Sequence, residues 1–367
     1  MSSYSLVFPG KIIFGNGTRK QLVSALPAGA VLIICGKHSQ RRITEELLPL
    51  LNDRQTELIA DVSPELPLPD VVRCCAAARR INARSVIGWG GGSVMDCAKT
   101  VAALAPCEGA EIDYFYGRRN ISAKGLFFAA LPTTAGTGAE ITGNAVLCDP
   151  ETGIKQSLRG TGMVADLAIV DPELTFDCPP AVTAASGMDA LTQALESLFS
   201  KRADQVSSLL ASQAAIKLFN HLEKACQYDP AAREAVAEGS MLAGMAFASS
   251  GLGAVHGIGH PLGSICHIPH GVCCALLLPV LLKWNRPVCR EKMDAAARLL
   301  NLPDGDALIV EISALNRKLG IPATARQYGL KMEHFDFIIK NSRSGSMKCN
   351  PSDLSDEDIA EILKELL

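Results

Sequence analysis

The first 172 residues alternate two hydrophobic periods, and that alternation restricts the fold more than any other feature of the chain. The runs AVLIIC (30–35), TELIADV (56–62), SVIGWG (85–90), LFFAALP (126–132) and LAIVDP (167–172) are short, apolar or β-branched, and bounded by Gly, Pro or polar residues. They read as buried strands. Between them, ITEELLPLL, PDVVRCCAAARRI and VMDCAKTVAALA repeat apolar residues at three- and four-residue spacing, as in Val94, Cys97, Val101 and Leu104, the period of a helix with one buried face. Strands alternating with helices require right-handed crossovers and therefore a parallel sheet. NAVLCDPETGIKQSL interrupts the series with two apolar stretches around an Asp-Pro-Glu-Thr-Gly turn, which predicts a hairpin.

After Asp171-Pro172 no further strand-like run occurs. Segments such as VTAASGMDALTQALESLF, VSSLLASQAAIKLFNHL and SDEDIAEILKELL are amphipathic at helical spacing. A chain of 367 residues also exceeds the ~250 to 300 residues at which single cores stop growing. The prolines at 179 and 180 mark the division. The expectation is an α/β domain with a parallel sheet over 1–178 and an all-helical domain over 179–367.

A formal charge of −3 and a pI near 6.2 lack the basic excess that a nucleic-acid backbone demands. No stretch of about 18 uninterrupted apolar residues is present, and the first residues carry no charged segment followed by an apolar run. Neither nucleic acid nor a membrane is expected as a partner. The 13 cysteines are odd in number and scattered as singles or vicinal pairs without CxxC spacing, which suits small buried hydrophobes of a reducing, cytoplasmic compartment better than disulfides.

Two segments have the makings of a nucleotide site. SVIGWGGGSVMDCAK sets Gly90, Gly91, Gly92 and Ser93 between a strand and a helix, where glycines let backbone amides approach a phosphate and the helix N-terminus adds unpaired N–H groups. The spacing matches neither GxGxxG nor GxxxxGK[ST], and a tight strand-to-helix turn would also account for it. LPTTAGTGAE places Thr133, Thr134 and Thr137 after the strand LFFAALP, at the strand end where open α/β sheets bind ligands. Alone, it reads equally as an ordinary polar loop.

Four of seven histidines, His256, His260, His267 and His270, fall within HGIGHPLGSICHIPH. Four-residue spacing puts His256 and His260 on one helix face, although Gly257, Gly259 and Pro261 are expected to limit that helix and His270 to return from a loop. Upstream, Asp189 and Gln193 in GMDALTQALES share a helix face by the same spacing. One carboxylate with two imidazoles is a common ligand set for Zn²⁺ or Fe²⁺.

Taken together and in order, GGGSVMDCAK, LPTTAGTGAE, GMDALTQALES and GAVHGIGHPLG…PHGV resemble the iron-containing (group III) alcohol dehydrogenases over nearly the whole chain. The resemblance implies an N-terminal dinucleotide-binding domain, a helical metal- and substrate-binding domain, and hydride transfer between a nicotinamide cofactor and a small alcohol or aldehyde. It also implies a dimer. Residue by residue, it assigns Gly90, Gly91, Gly92 and Ser93 to the pyrophosphate, Thr133, Thr134 and Thr137 to the nicotinamide end, and Lys155 to the ribose there. Asp189, His256 and His270 match metal ligands, and His260 matches a histidine close to nicotinamide and substrate. Gln193 departs from the pattern, because the family usually carries histidine there and an amide oxygen is a harder, weaker donor. A metal-free reductase, a related polyol dehydrogenase or lyase, and a decayed nucleotide-binding protein are the competing readings.

Cofactor choice rests on the end of AVLIIC, where an acidic residue would accept from a free ribose 2′-OH and repel a 2′-phosphate. The chain has Gly36, Lys37, His38 and Ser39 instead. NAD and NADP are both compatible, and the absent carboxylate leans toward NADP.

Overall fold

The computed structural model describes residues 4–121 and 123–367, which divide into two compact units. The first comprises Val7–Thr134 and Gly138–Thr175; the second comprises Phe176–Leu367 with Ala135–Thr137 and residues 4–6.

Six strands form one parallel sheet in the first unit: β1 (Lys11–Phe14), β2 (Ala30–Cys35), β3 (Thr56–Ile59), β4 (Ala83–Gly90), β5 (Phe127–Pro132) and β8 (Leu167–Val170). β6 (Asn144–Cys148) and β7 (Lys155–Arg159) form the expected antiparallel hairpin. Helices α1 (Leu22–Ala25), α2 (Lys37–Arg42), α3 (Leu68–Arg80), α4 (Gly92–Leu104) and α5 (Glu111–Phe115) make the connections. Alternate residues of β2 enter different cores, Leu32 and Ile34 with α3 and α4, and Val31, Ile33 and Cys35 with Leu22, Leu47 and Leu51. Burial on both faces is why this strand is a continuous apolar run rather than an alternating one.

The strand order is β1-β8-β5-β4-β2-β3. From β2 the chain steps outward to β3, whereas from β4 it steps the other way to β5. The order therefore reverses between β2 and β4, and the crevice beyond their carboxyl ends is where open α/β sheets take their ligands.

Two local expectations fail in this unit. β1 did not register among the strand-like runs, because KIIF is four residues long and only partly buried. ITEELLPLL is not an α-helix: a π turn over Ile43–Leu47 passes into a 3₁₀ turn over Leu48–Leu51. Pro49 has no N–H to give the carbonyl of Glu45, so the ladder changes period around it.

The second unit contains no strand among its described residues; its α-helices are α6 (Pro180–Phe199), α7 (Gln205–Cys226), α8 (Pro230–Ser250), α9 (Ala254–Cys266), α10 (His270–Leu299), α11 (Gly305–Lys318), α12 (Phe335–Asn341) and α13 (Asp356–Lys364). α10 is long and apolar enough to cross a membrane by length and composition. Its residues Cys273–Leu278, Leu281 and Leu282 are instead buried in the core of this unit. Contrary to expectation, α9 continues through Pro261. The missing N–H and ring clash cost a helix roughly 3 kcal/mol, and complete burial of Ile258 and Leu262 on the same helix offsets that cost. His267, in left-handed conformation (φ 52°), ends α9, and His270 opens α10 rather than standing in a loop.

Candidate functional site

In the first unit, the residues singled out by the glycine-rich segment meet at the sheet's reversal point. Gly36 follows β2, and Gly90 ends β4 with Gly91 as the N-cap of α4. A Cβ on Gly90 would lie 2.8 Å from Cβ of Val94, so only glycine lets α4 begin this close to the strand. Packing makes no such demand on Gly36 or Gly91, where the nearest atoms to an added Cβ are at 3.9 and 3.5 Å. Their missing side chains leave room at the strand ends. Gly92 and Ser93 form the first turn of α4, which has no acidic residue there and no side chain bonded to its cap. Free N–H groups, a positive helix end and open space suit an anionic diphosphate.

Thr133 is tied to this turn, its N–H donating to Gly90 O at 2.9 Å, and a Cβ on Gly91 would lie 3.5 Å from Thr134 Oγ1. Thr137 belongs to the other unit and is exposed. Lys155 opens β7 opposite Cys148, with Nζ 3.7 Å from Glu65 Oε1. Ser39 lies in α2, its N–H donating to Gly36 O.

The second unit holds a donor cluster. Asp189 Oδ1, His256 Nε2, His270 Nε2 and Cys274 Sγ come from α6, α9 and α10, and one donor atom of each lies within 4.8 Å of the others. Asp189 Oδ1 is 3.1 Å from His256 Nε2 and 3.7 Å from His270 Nε2. Burial works to raise the Asp189 carboxyl, but His270 and His256 outweigh it and hold the group below its ordinary value. Burial pushes the Cys274 thiol up to about 12. His260 stacks on His270 with ring centroids 4.7 Å apart and planes inclined by 10°. Gln193, one turn after Asp189, is buried, and its Oε1 has no hydrogen-bond partner among the described residues. His267 is exposed.

Glu196 completes the arrangement and escaped the sequence reading. Its Oε2 lies 2.6 Å from His256 Nδ1, and its Oε1 accepts from the Val255 N–H at 2.8 Å in the first turn of α9. An ionised carboxylate only accepts, so Nδ1 carries the proton, and Nε2 faces the Asp189 carboxylate. That nitrogen is satisfied either by a proton or by a cation. A buried carboxylate, two imidazoles, an orphaned amide oxygen and an oriented histidine fit a divalent metal ion. The signal for Glu196 was its place seven residues after Asp189, two turns along the same face of α6. Cys274 likewise stands four residues after His270.

Glu196→Gln should weaken metal binding by about 10- to 100-fold, the range typical of lost supporting contacts to a ligating histidine. A single amide oxygen cannot replace two carboxylate oxygens that serve Val255 and His256 separately. Competition against a chromophoric chelator measures the affinity, and an unchanged value would remove Glu196 from the site.

Comparison with known proteins assigns both units to one family. Residues 9–172 match the profile of iron-containing alcohol dehydrogenase, and residues 183–367 match the C-terminal profile of the Fe-containing alcohol dehydrogenase family. The chain is 36% identical over 363 residues to long-chain-alcohol dehydrogenase 1 of Geobacillus thermodenitrificans, covering 93% of this chain and 91% of the relative. It is 31% identical to an NADPH-dependent butanol dehydrogenase of Clostridium saccharobutylicum, with 97% and 96% covered. Among solved structures, sulfoacetaldehyde reductase from Bifidobacterium kashiwanohense in complex with NAD+ superposes with a TM-score of 0.93 at 28% identity, covering 100% of this chain and 99% of that one.

Proposed function

The chain belongs to the iron-containing alcohol dehydrogenase family and is an NAD(P)-linked alcohol dehydrogenase, and from that premise we propose how its residues divide the reaction. Residues 1–178 act as the dinucleotide-binding domain. Gly90, Gly91, Gly92 and Ser93 receive the pyrophosphate, Gly36 and Ser39 border the adenosine ribose, and Thr133, Thr134, Thr137 and Lys155 serve the nicotinamide half. Residues 179–367 bind metal and substrate. Asp189, His256 and His270 hold a divalent ion, Fe²⁺ or Zn²⁺, with Gln193 Oε1 available as a further oxygen donor. The observation that carries this reading is the His256 ring held between two buried carboxylates, Asp189 and Glu196.

A divalent ion there supplies Lewis-acid charge that polarises an aldehyde oxygen or stabilises the developing alkoxide of an alcohol. The chain's own groups do the rest. Burial of Asp189, His256 and Gln193 keeps water away and strengthens each electrostatic contact. His260, half-buried and stacked on His270, takes or returns the hydroxyl proton through its imidazole. A nicotinamide cofactor, when bound, would supply or accept the hydride, and the protein's part is to position it. Small alcohols and aldehydes are the substrates. The thirteen free cysteines accord with a cytoplasmic enzyme, and a dimer is the assembly we propose. Absorbance of reduced nicotinamide with a panel of alcohols, before and after chelation, tests the reading; undiminished turnover by metal-free protein would overturn it.

Cofactor preference follows from the end of β2. Gly36 has φ −82° and ψ 156°, an ordinary conformation for any residue, and an added Cβ would meet nothing closer than 3.9 Å. Gly36→Asp should therefore fold, and its carboxylate would repel a 2′-phosphate while accepting from a free 2′-OH. We expect kcat/KM with NADP to fall at least about tenfold relative to NAD. Equal changes for both cofactors would show that this turn does not meet the adenosine ribose.

A further inference from the structure

Four donors converge in the helical unit, although the carboxylate and two imidazoles account for only three. Cys274 stands one turn after His270 on α10, so both side chains project from one helix face. Its Sγ lies 3.6 Å from Asp189 Oδ1, 3.6 Å from His270 Nε2 and 3.9 Å from His256 Nε2. Bonds of about 2.0 to 2.3 Å at the tetrahedral angle separate neighbouring donors by about 3.3 to 3.6 Å. The distances from Asp189 Oδ1 to the two imidazoles, 3.1 and 3.7 Å, fall around the same range. The four atoms thus outline a tetrahedron large enough for one ion. A thiol used only for packing gains nothing from lying within 4 Å of three polar donors, where apolar contact is lost.

We propose, resting on the metal-dependent reading above, that the Cys274 thiolate is a protein ligand of the ion, completing an Asp189, His256, His270 and Cys274 set. Binding displaces the Sγ proton to solvent, and two anionic ligands then neutralise the dication. The Glu196 charge is met separately by the Nδ1–H of His256. Sulphur is a softer donor than the amide oxygen of Gln193, so the set favours Zn²⁺ over Fe²⁺. In this arrangement Cys274 supplies the strong fourth contact for which Gln193 is poorly suited.

The test uses the full chain freed of metal and loaded with Co²⁺. Wild type should show a near-ultraviolet sulphur-to-cobalt charge-transfer band at one Co²⁺ per chain. Cys274→Ser should lose the band and bind at least about tenfold more weakly, whereas Gln193→Met should keep the band. X-ray absorption at the zinc edge of unsubstituted, zinc-loaded enzyme needs no variant and should show one sulphur at about 2.3 Å. Stoichiometric metal with only nitrogen and oxygen neighbours would overturn the role of Cys274 and leave metal dependence standing. A band that survives in Cys274→Ser would overturn it by pointing to another thiol, and failure of wild type to bind any divalent ion would sink both this inference and the metal-dependent reading.

Discussion

Asp189→Asn will strip the divalent ion from the protein and lower kcat/KM by about a thousandfold or more, while the helical unit stays folded. The asparagine has the same shape, so the packing of α6 around this buried position is retained. What disappears is the anionic oxygen that lies 3.1 Å from His256 Nε2 and 3.7 Å from His270 Nε2. A metal supplies several kcal/mol of charge stabilisation in the transition state, and each 1.36 kcal/mol is about tenfold in rate, so the loss should reach about three decades. Metal content per chain and kcat/KM are the two measurements, with circular dichroism to confirm the fold. Wild-type metal content in the variant would remove Asp189 from the ligand set.

The parts of this protein that could be read from its sequence are those where one period dominates. β2 and β4 are buried on both faces and read as uninterrupted apolar runs, and α6 keeps its helical period over 20 residues. The His256 and His260 pair was legible because four-residue spacing is itself a geometric statement. Residues whose partners come from elsewhere in the chain were not. Glu196 looks like a solvated acid on an amphipathic helix until α9 presents His256 to it, 60 positions away. Cys274 looks like a small hydrophobe in an apolar helix until α6 and α9 bring Asp189 and His256 beside it. Pro261 looks like a helix end because its local cost is visible and the burial that offsets it is not. The same blindness covered Asp96 and Lys99, charged residues of the glycine-rich segment that prove to be structural.

Lys99→Met should destabilise the first unit by about 3 to 5 kcal/mol, the cost of removing one partner from a buried charged network. Lys99 is wholly buried, and its Nζ donates to the carbonyls of Thr142 and Asn144, both at 2.7 Å. Asp96, 3.8 Å from that ammonium, accepts from the Val146 N–H at 2.9 Å. Two side chains of α4 thereby pin the start of β6, just beyond the threonine-rich loop. Methionine fills the volume but takes the ammonium donor from the Thr142 and Asn144 carbonyls and the nearest cation from Asp96 and the buried Glu140. Burial already pushes Glu140 up to about 7 and raises Asp96, in both cases against the opposing pull of Lys99. Because these folded-state values lie above the unfolded ones, protonation favours the folded state, and stability rises as pH falls through about 7. The penalty of the substitution should therefore be larger at high pH than at low pH, since a protonated Glu140 no longer needs the ammonium. Urea unfolding on both sides of neutrality measures it, with hydrogen exchange at the Val146 amide reporting the hairpin locally. An unchanged midpoint at both pH values would mean that β6 is held without Lys99, by its pairing with β7 and the apolar contacts of Ala145 and Leu147.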